Sequence, residues 1–190
     1  MNTPAHAIIN LLIFKKRLRE THALAIAAGA IVPDLPMILF YIWARAHHLT
    51  ERQIWRETYY ESHWQTAFDL FHSFPVCLSL AALAWYRNAK VWMWFFLSMA
   101  LHSVFDLPVH HDDAHRHFIP FSNWQFISPI SYWDPRYFGQ YVSLLELATV
   151  LIGSIYFLRC GQSRTLKIIT GLVLALYASH WIFVILFWIK

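Results

Sequence analysis

The stretch VWMWFFLSMALHSVFDLPV, residues 91–109, is long and apolar enough to cross a bilayer, yet it carries His102 and Asp106. A transmembrane helix needs about 17–25 predominantly apolar residues. At a spacing of four, the imidazole and the carboxylate project from one face of such a helix. A charged aspartate facing lipid costs about 2.5–3.5 kcal/mol on insertion scales. Any fold of this chain must therefore bring something polar to meet the pair.

The rest of the chain repeats the apolar theme. Of 190 residues, 58% are hydrophobic and only 14% charged, against about 25% charged in soluble domains. This composition predicts one integral membrane domain over residues 1–190. Apolar segments at roughly 21–44, 67–86, 91–108, 142–158 and 166–189 predict an all-α helical bundle of four to five spans. AHAIINLLIF, at residues 5–14, is too short to span and precedes the basic cluster KKRLR, the reverse of a signal peptide's order. Residues 1–20 thus read as a short amino-terminal helix and a basic loop. Val32-Pro33-Asp34-Leu35-Pro36 interrupts the first span, and two prolines there predict a break or kink facing protein or a watery cavity.

The net charge of +4 is spread over short loops, which argues for membrane topology and against a nucleic-acid partner. Lys15, Lys16, Arg17, Arg19, Arg87, Lys90, Arg159, Arg164 and Lys167 fall on one side, with Glu20 their only acid. That side is expected in the cytoplasm, as for a bacterial inner-membrane protein. The segments at about 45–66 and 109–141 fall on the other. In the first, Ile54, Trp55 and Tyr59 recur at helical spacing and predict a short surface helix. The second reads as a cap over the outer mouth of the bundle. Its HHDDAHRH run, residues 110–117, reads as a solvated loop able to gate access or hold metal loosely. Cys77 and Cys160 do not form a disulfide framework.

Polar residues from separate segments converge in depth. His72, His102, Asp106 and Glu146 lie near the outer ends of spans, Asp34 lies in the broken first span, and His6 opens the short helix and is expected to point up from below. Asp69, three residues before His72 on the same face, is placed to orient its imidazole. Glu146 reads as a general base, a partner of Arg136 or a helix cap. His180, in the middle of the last span, reads as a hydrogen bond to a neighbouring helix. A mixed imidazole and carboxylate set without thiolate suits zinc, with manganese or iron as alternatives.

Four elements, Thr3-Pro4-Ala5-His6, Val32-Pro33-Asp34-Leu35-Pro36, Phe71-His72-Ser73 and Leu101-His102-Ser103-Val104-Phe105-Asp106, occur in an order that resembles the membrane-bound metal-dependent hydrolase family of the bacterial YdjM type. More distantly, they resemble the zinc-dependent phospholipase C fold. The resemblance implies that His6, Asp34, His72, His102 and Asp106 hold one or two zinc ions. It implies hydrolysis of a phosphoester in a membrane lipid or lipid-linked substrate at the extracytoplasmic face. Asp69 and Glu146 would assist, and Arg116, Arg136 or His110 would neutralise phosphate charge. Two other functions fit the same intramembrane carboxylates: a metal-ion or proton transporter, and an inert scaffold around a structural metal.

Overall fold

The computed structural model describes residues 1–160 and 163–187, without the side chains of Arg17, His180 and 183–187. The expected hydrogen bond of His180 therefore falls outside the described residues. All regular structure among these residues is helical. The helices are α1 (Thr3–Ile13), α2 (Glu20–Ile31), α3 (Leu35–Ala46), α4 (Glu51–Arg56), α5 (Ser62–Phe71), α6 (Phe74–Tyr86), α7 (Lys90–Asp106), α8 (Gly139–Cys160) and α9 (Arg164–Phe187).

Two helical paths are long and apolar enough to cross a membrane: Glu20–Ala46, with mean hydropathy 2.0, and Gly139–Cys160, with mean hydropathy 1.8. A third arises if α5 and α6, bent by 41°, are taken as one span. Their outer faces expose Leu24, Leu39, Ile42, Leu145 and Ile152, an apolar surface that water does not favour.

The proline pair in the first path produces less disruption than its sequence predicts. Val32–Asp34 forms one turn of 3-10 helix, and helix resumes at Leu35. Pro33 and Pro36 both sit in the first turn of their elements, where the missing N–H removes no helical bond. The tighter turn carries Asp34 at the junction of two helices. A sharper bend separates α5 from α6. His72 ends the first, and the Ser73 hydroxyl caps the second by accepting from Val76 N.

Helices α1, α2 and α7 form the frame that positions the site, and their contacts recur every helical turn. At the lowest level Trp94 meets Phe14 and His22 edge-on or tilted. One turn up, Asn10 Nδ2 donates to Ser98 O and Oγ, and the Ser98 hydroxyl donates to Ile26 O at 2.6 Å. One turn further, the His102 ring stacks on His6 at 3.7 Å, and its Nδ1 donates to Ala30 O at 2.8 Å. Residues 14, 10 and 6 of the α1 strand of this ladder descend as 94, 98 and 102 ascend, so α1 runs antiparallel to α7. Small residues in α2 allow this approach. Gly29 packs so closely on α7 that an added Cβ would stand 2.2 Å from Phe95 O. Interhelical hydrogen bonds of this kind contribute about 0.6 kcal/mol on average in membranes. Ser98→Ala loses two of them and is expected to destabilise by about 1 kcal/mol, with metal stoichiometry unchanged, as thermal unfolding and elemental analysis would read.

The 45–66 segment holds α4 and a 3-10 turn at Thr58–Tyr60. Ile54 and Tyr59 are buried against Phe40, Ala44 and Phe68, whereas Trp55 remains 40% exposed. Thr50 and Gln53 close a capping box at its start. Between α7 and the 3-10 turn at Pro135–Tyr137 the chain has no helix or strand among the described residues. Loops of that length are uncommon in compact domains and are usually either functional or disordered. This one is laced onto the α5–α6 bend: Ser73 Oγ donates to Ile119 O, and Phe74 N to His117 O.

Candidate metal centre

Each ligand-type side chain reaches the centre from an interruption or an end of a helix. Asp34 comes from the 3-10 turn, His72 from the α5–α6 bend, and His102 and Asp106 from the last turns of α7. One ligand atom from each of these four lies within 4.8 Å of all the others.

Hydrogen bonding at the far side of each ring fixes what the near side presents. His72 Nδ1 donates to Phe68 O and His102 Nδ1 donates to Ala30 O, both at 2.8 Å. A carbonyl oxygen only accepts, so Nδ1 carries the hydrogen in each ring. The two Nε2 atoms then face one another at 3.3 Å. In the neutral rings both are bare lone pairs. Two carboxylates join them: Asp106 Oδ2 at 2.7 Å from His102 Nε2 and 3.6 Å from His72 Nε2, and Asp34 Oδ1 at 3.6 and 3.7 Å from the same atoms. Four electron-rich atoms converging in a buried space repel one another unless a cation or a shared proton stands between them, and the 2.7 Å pair of His102 and Asp106 is short enough for a proton. Around a tetrahedral ion with bonds of about 2.0–2.1 Å, ligand atoms sit about 3.3–3.4 Å apart. The observed separations bracket that value. Asp34 Oδ2 is also buried without a hydrogen-bond partner. The donor set, two imidazoles and two carboxylates, fits a divalent cation that prefers nitrogen and oxygen.

Asp106 serves both sides of the centre. While Oδ2 faces His72 and His102, Oδ1 lies 3.0 Å from His6 Nε2, 3.2 Å from His110 Nε2 and 2.7 Å from the Met1 nitrogen. His6 thus reaches the centre through Asp106, from the upper end of α1, instead of pointing up from below. It does not belong to the group of four. Among His110, His111 and Asp112, the structure brings only His110 to Asp106. His111 stacks on Tyr137, and Asp112 is exposed.

Asp69, Arg116, Arg136 and Glu146, the residues expected to assist, are placed elsewhere than the sequence suggests. Asp69 does not orient His72, whose Nδ1 is taken by Phe68 O. It is fully buried and binds the next layer, accepting from Arg116 N, Arg116 Nε and His115 Nδ1. His115 in turn stacks on His72 at 4.0 Å. Arg116 is thereby held against Asp69, and Arg136 against Asp134 with its side chain 79% exposed. Neither lines the cavity beside the centre, so neither is set to neutralise a phosphate there. Glu146 makes no bond to Arg136. It accepts from Asn2 N and Nδ2 and from the Tyr177 hydroxyl, a clamp that ties the start of α1 to α8 and α9.

The HHDDAHRH run is a further correction. His110, His115 and His117 are buried, because the loop folds back onto the centre through Asp69 and the α5–α6 bend. Burial, with His72 adding to it, holds the His115 imidazole down to about 3. For His110, burial and the Met1 amine oppose protonation, but Asp106 and Asp113 outweigh them and push it up to about 9. Its Nδ1 lies 3.0 Å from Asp113 Oδ2, close enough for an ion pair though out of line for a hydrogen bond. Burial and neighbouring charges thus shift these adjacent imidazoles in opposite directions.

A cavity of about 140 Å³ opens onto Asp34, with His110, Asp113 and His115 on one wall and Met37 and Ile38 of α3 on another. It carries no Lys or Arg. Asp34 and Asp113 face it together with His110 and Met1, whose amine pairs with Asp106 at 2.7 Å.

Comparison of the chain with protein-family models, with characterised proteins and with solved structures finds no match.

Proposed function

We propose that this chain is a membrane-embedded metal-dependent hydrolase of the YdjM-like type that its motifs resemble. It has four to five spans, basic loops in the cytoplasm and a zinc centre at the extracytoplasmic end. Its substrate is a phosphoester of a lipid or lipid-linked molecule. The observation that carries the reading is the convergence of two imidazole Nε2 atoms, 3.3 Å apart, with two carboxylates. Asp34, His72, His102 and Asp106 would hold the ion, with His6 set against the other oxygen of Asp106. A divalent cation so held supplies Lewis acidity and a water acidic enough to attack phosphorus near neutral pH.

The protein's own residues supply placement. Phe68 O and Ala30 O fix the two rings. The apolar wall of Met37 and Ile38 adjoins the exposed Leu35, Leu39 and Ile42 on α3. A lipid can therefore present its phosphate to the polar cavity while its chains lie along α3.

The transporter reading is weaker. One turn below His102, Asn10 Nδ2 and Ser98 Oγ are consumed by their own hydrogen bonds. Below that, Phe14 and Trp94 pack edge to face, with His22 tilted against Trp94. A conducting path would need a continuous run of polar groups there, and among the described residues no carboxylate meets Phe14 or Trp94.

Turnover of phosphate-labelled phospholipid in mixed micelles tests the proposal. The expected result is release of the phosphorylated headgroup, stopped by chelator, restored by zinc and lowered by roughly two orders of magnitude or more in Asp34→Asn. Stoichiometric metal with no hydrolysis of any phosphomonoester or phosphodiester would leave only the scaffold. Metal flux in sealed vesicles would point to transport.

A further inference from the structure

A second cavity, of about 230 Å³, lies at the opposite end of the frame from the metal centre. It is bounded by the turn after α1, the start of α2, the end of α8 and the start of α9. Its cations are Lys15 and Arg19, and its walls include Tyr156, Phe157 and Leu166. Lys15 Nζ sits 5.4 Å over the Tyr156 ring. Neither Lys15 nor Arg19 makes an ion pair among the described residues. The nearby acid, Glu20, accepts from the hydroxyl of Ser163, a wall residue, at 2.9 Å but does not itself line the cavity. Two exposed cations, unpaired with any acid among the described residues, thus border a space large enough for a phosphate and its substituent.

We infer that this cavity binds the headgroup of an anionic phospholipid. The apolar surroundings favour a lipid over free phosphate. Phe157 and Leu166 floor the cavity, and Tyr156 leads onto Ile152 and Ile155, exposed on the outer face of α8. Acyl chains can follow that face while the phosphate meets Lys15 and Arg19. Basic pockets between spans at the cytoplasmic surface are a recognised lodging for such headgroups. The site requires the spans to lie in a bilayer. It requires neither the metal nor the hydrolytic chemistry, so it can stand or fall separately from them.

Native mass spectrometry of full-length protein released from micelles doped with phosphatidylglycerol or phosphatidylcholine tests this inference. The expected result is one phosphatidylglycerol retained per chain, with phosphatidylcholine and inorganic phosphate not retained. Lys15→Gln with Arg19→Gln is expected to weaken retention tenfold or more. Arg87→Gln with Lys90→Gln, which removes two cations from the same end but outside the cavity, is expected to retain the lipid. Equal loss in both double variants would mean diffuse surface attraction and would overturn the site, as would equal retention of inorganic phosphate or of phosphatidylcholine. Should the first double variant fail to fold, competition settles the matter on the wild type. Spin-labelled phosphatidylglycerol should broaden resonances of Tyr156 and be displaced only by anionic lipid. No broadening there would equally refute the inference.

Discussion

Purified wild-type protein is expected to carry tightly held zinc, and His102→Ala is expected to carry none in the centre. His102 stands where three constraints meet: the Ala30 carbonyl behind it, His6 stacked on its face, and Asp34, His72 and Asp106 in front. Removing the ring takes away one of the four groups proposed to hold the ion, although Phe68 O still fixes His72. Loss of a supporting hydrogen bond alone typically costs 10–100-fold in metal affinity, so loss of the ligand itself should exceed about 100-fold. Asp106→Ala should be at least as damaging, because its two oxygens serve both sides of the centre. Glu146→Gln is the matched control. Glu146 is buried and multiply bonded, but to Asn2 and Tyr177, so its replacement should leave the metal in place. Elemental analysis of dialysed protein reads all three.

The largest expected effect on stability comes from one methyl group. In Gly29→Ala the new Cβ would lie 2.2 Å from Phe95 O and 3.0 Å from Ser98 Cβ. The first neighbour is backbone and cannot turn aside. Alanine gains up to about 1 kcal/mol over glycine in helix propensity, whereas overpacking costs about 1–3 kcal/mol or more. The clash should win, with net destabilisation of at least about 2 kcal/mol. Separation of α2 from α7 would also shift the Ala30 carbonyl away from His102 Nδ1, so metal affinity should fall with stability. Gly171→Ala supplies the contrast. Nothing lies within 4 Å of its added Cβ, so propensity alone operates and the variant should be unchanged or slightly more stable. Thermal unfolding in detergent would compare the two. Similar midpoints would mean that α2 and α7 do not pack as described.

How much of this could be read from residues alone depends on whether a periodic element carried the information. The His102 and Asp106 pair was legible because a helix fixes which side chains share a face. The helical class followed from uninterrupted apolar length. Asp34 was legible as a polar residue at a proline interruption, although the sequence suggested a break where a single 3-10 turn suffices. The loop after α7 defeated the same reasoning. Nothing in HHDDAHRH has a period, and its composition reads as solvated. Its burial arises from tertiary bonds, notably those of Asp69 to His115 and Arg116. Asp69 was assigned to His72 because they share a helix face, but the end of α5 offered the closer Phe68 carbonyl instead. Glu146 has the right depth on the wrong side of α1, and depth alone does not specify direction. A clue to His115 did exist, since a histidine-rich run in a long unstructured loop is unusual enough to be suspected of function.

The convergence of His72, His102, Asp34 and Asp106 on one cation is best tested by X-ray absorption at the zinc edge of the purified protein. The account predicts a coordination shell of nitrogen and oxygen alone at about 2.0–2.1 Å, with the outer-shell scattering of two imidazoles that disappears in part in His72→Ala. A shell containing sulfur near about 2.3 Å, or one with no imidazole scattering, would contradict it.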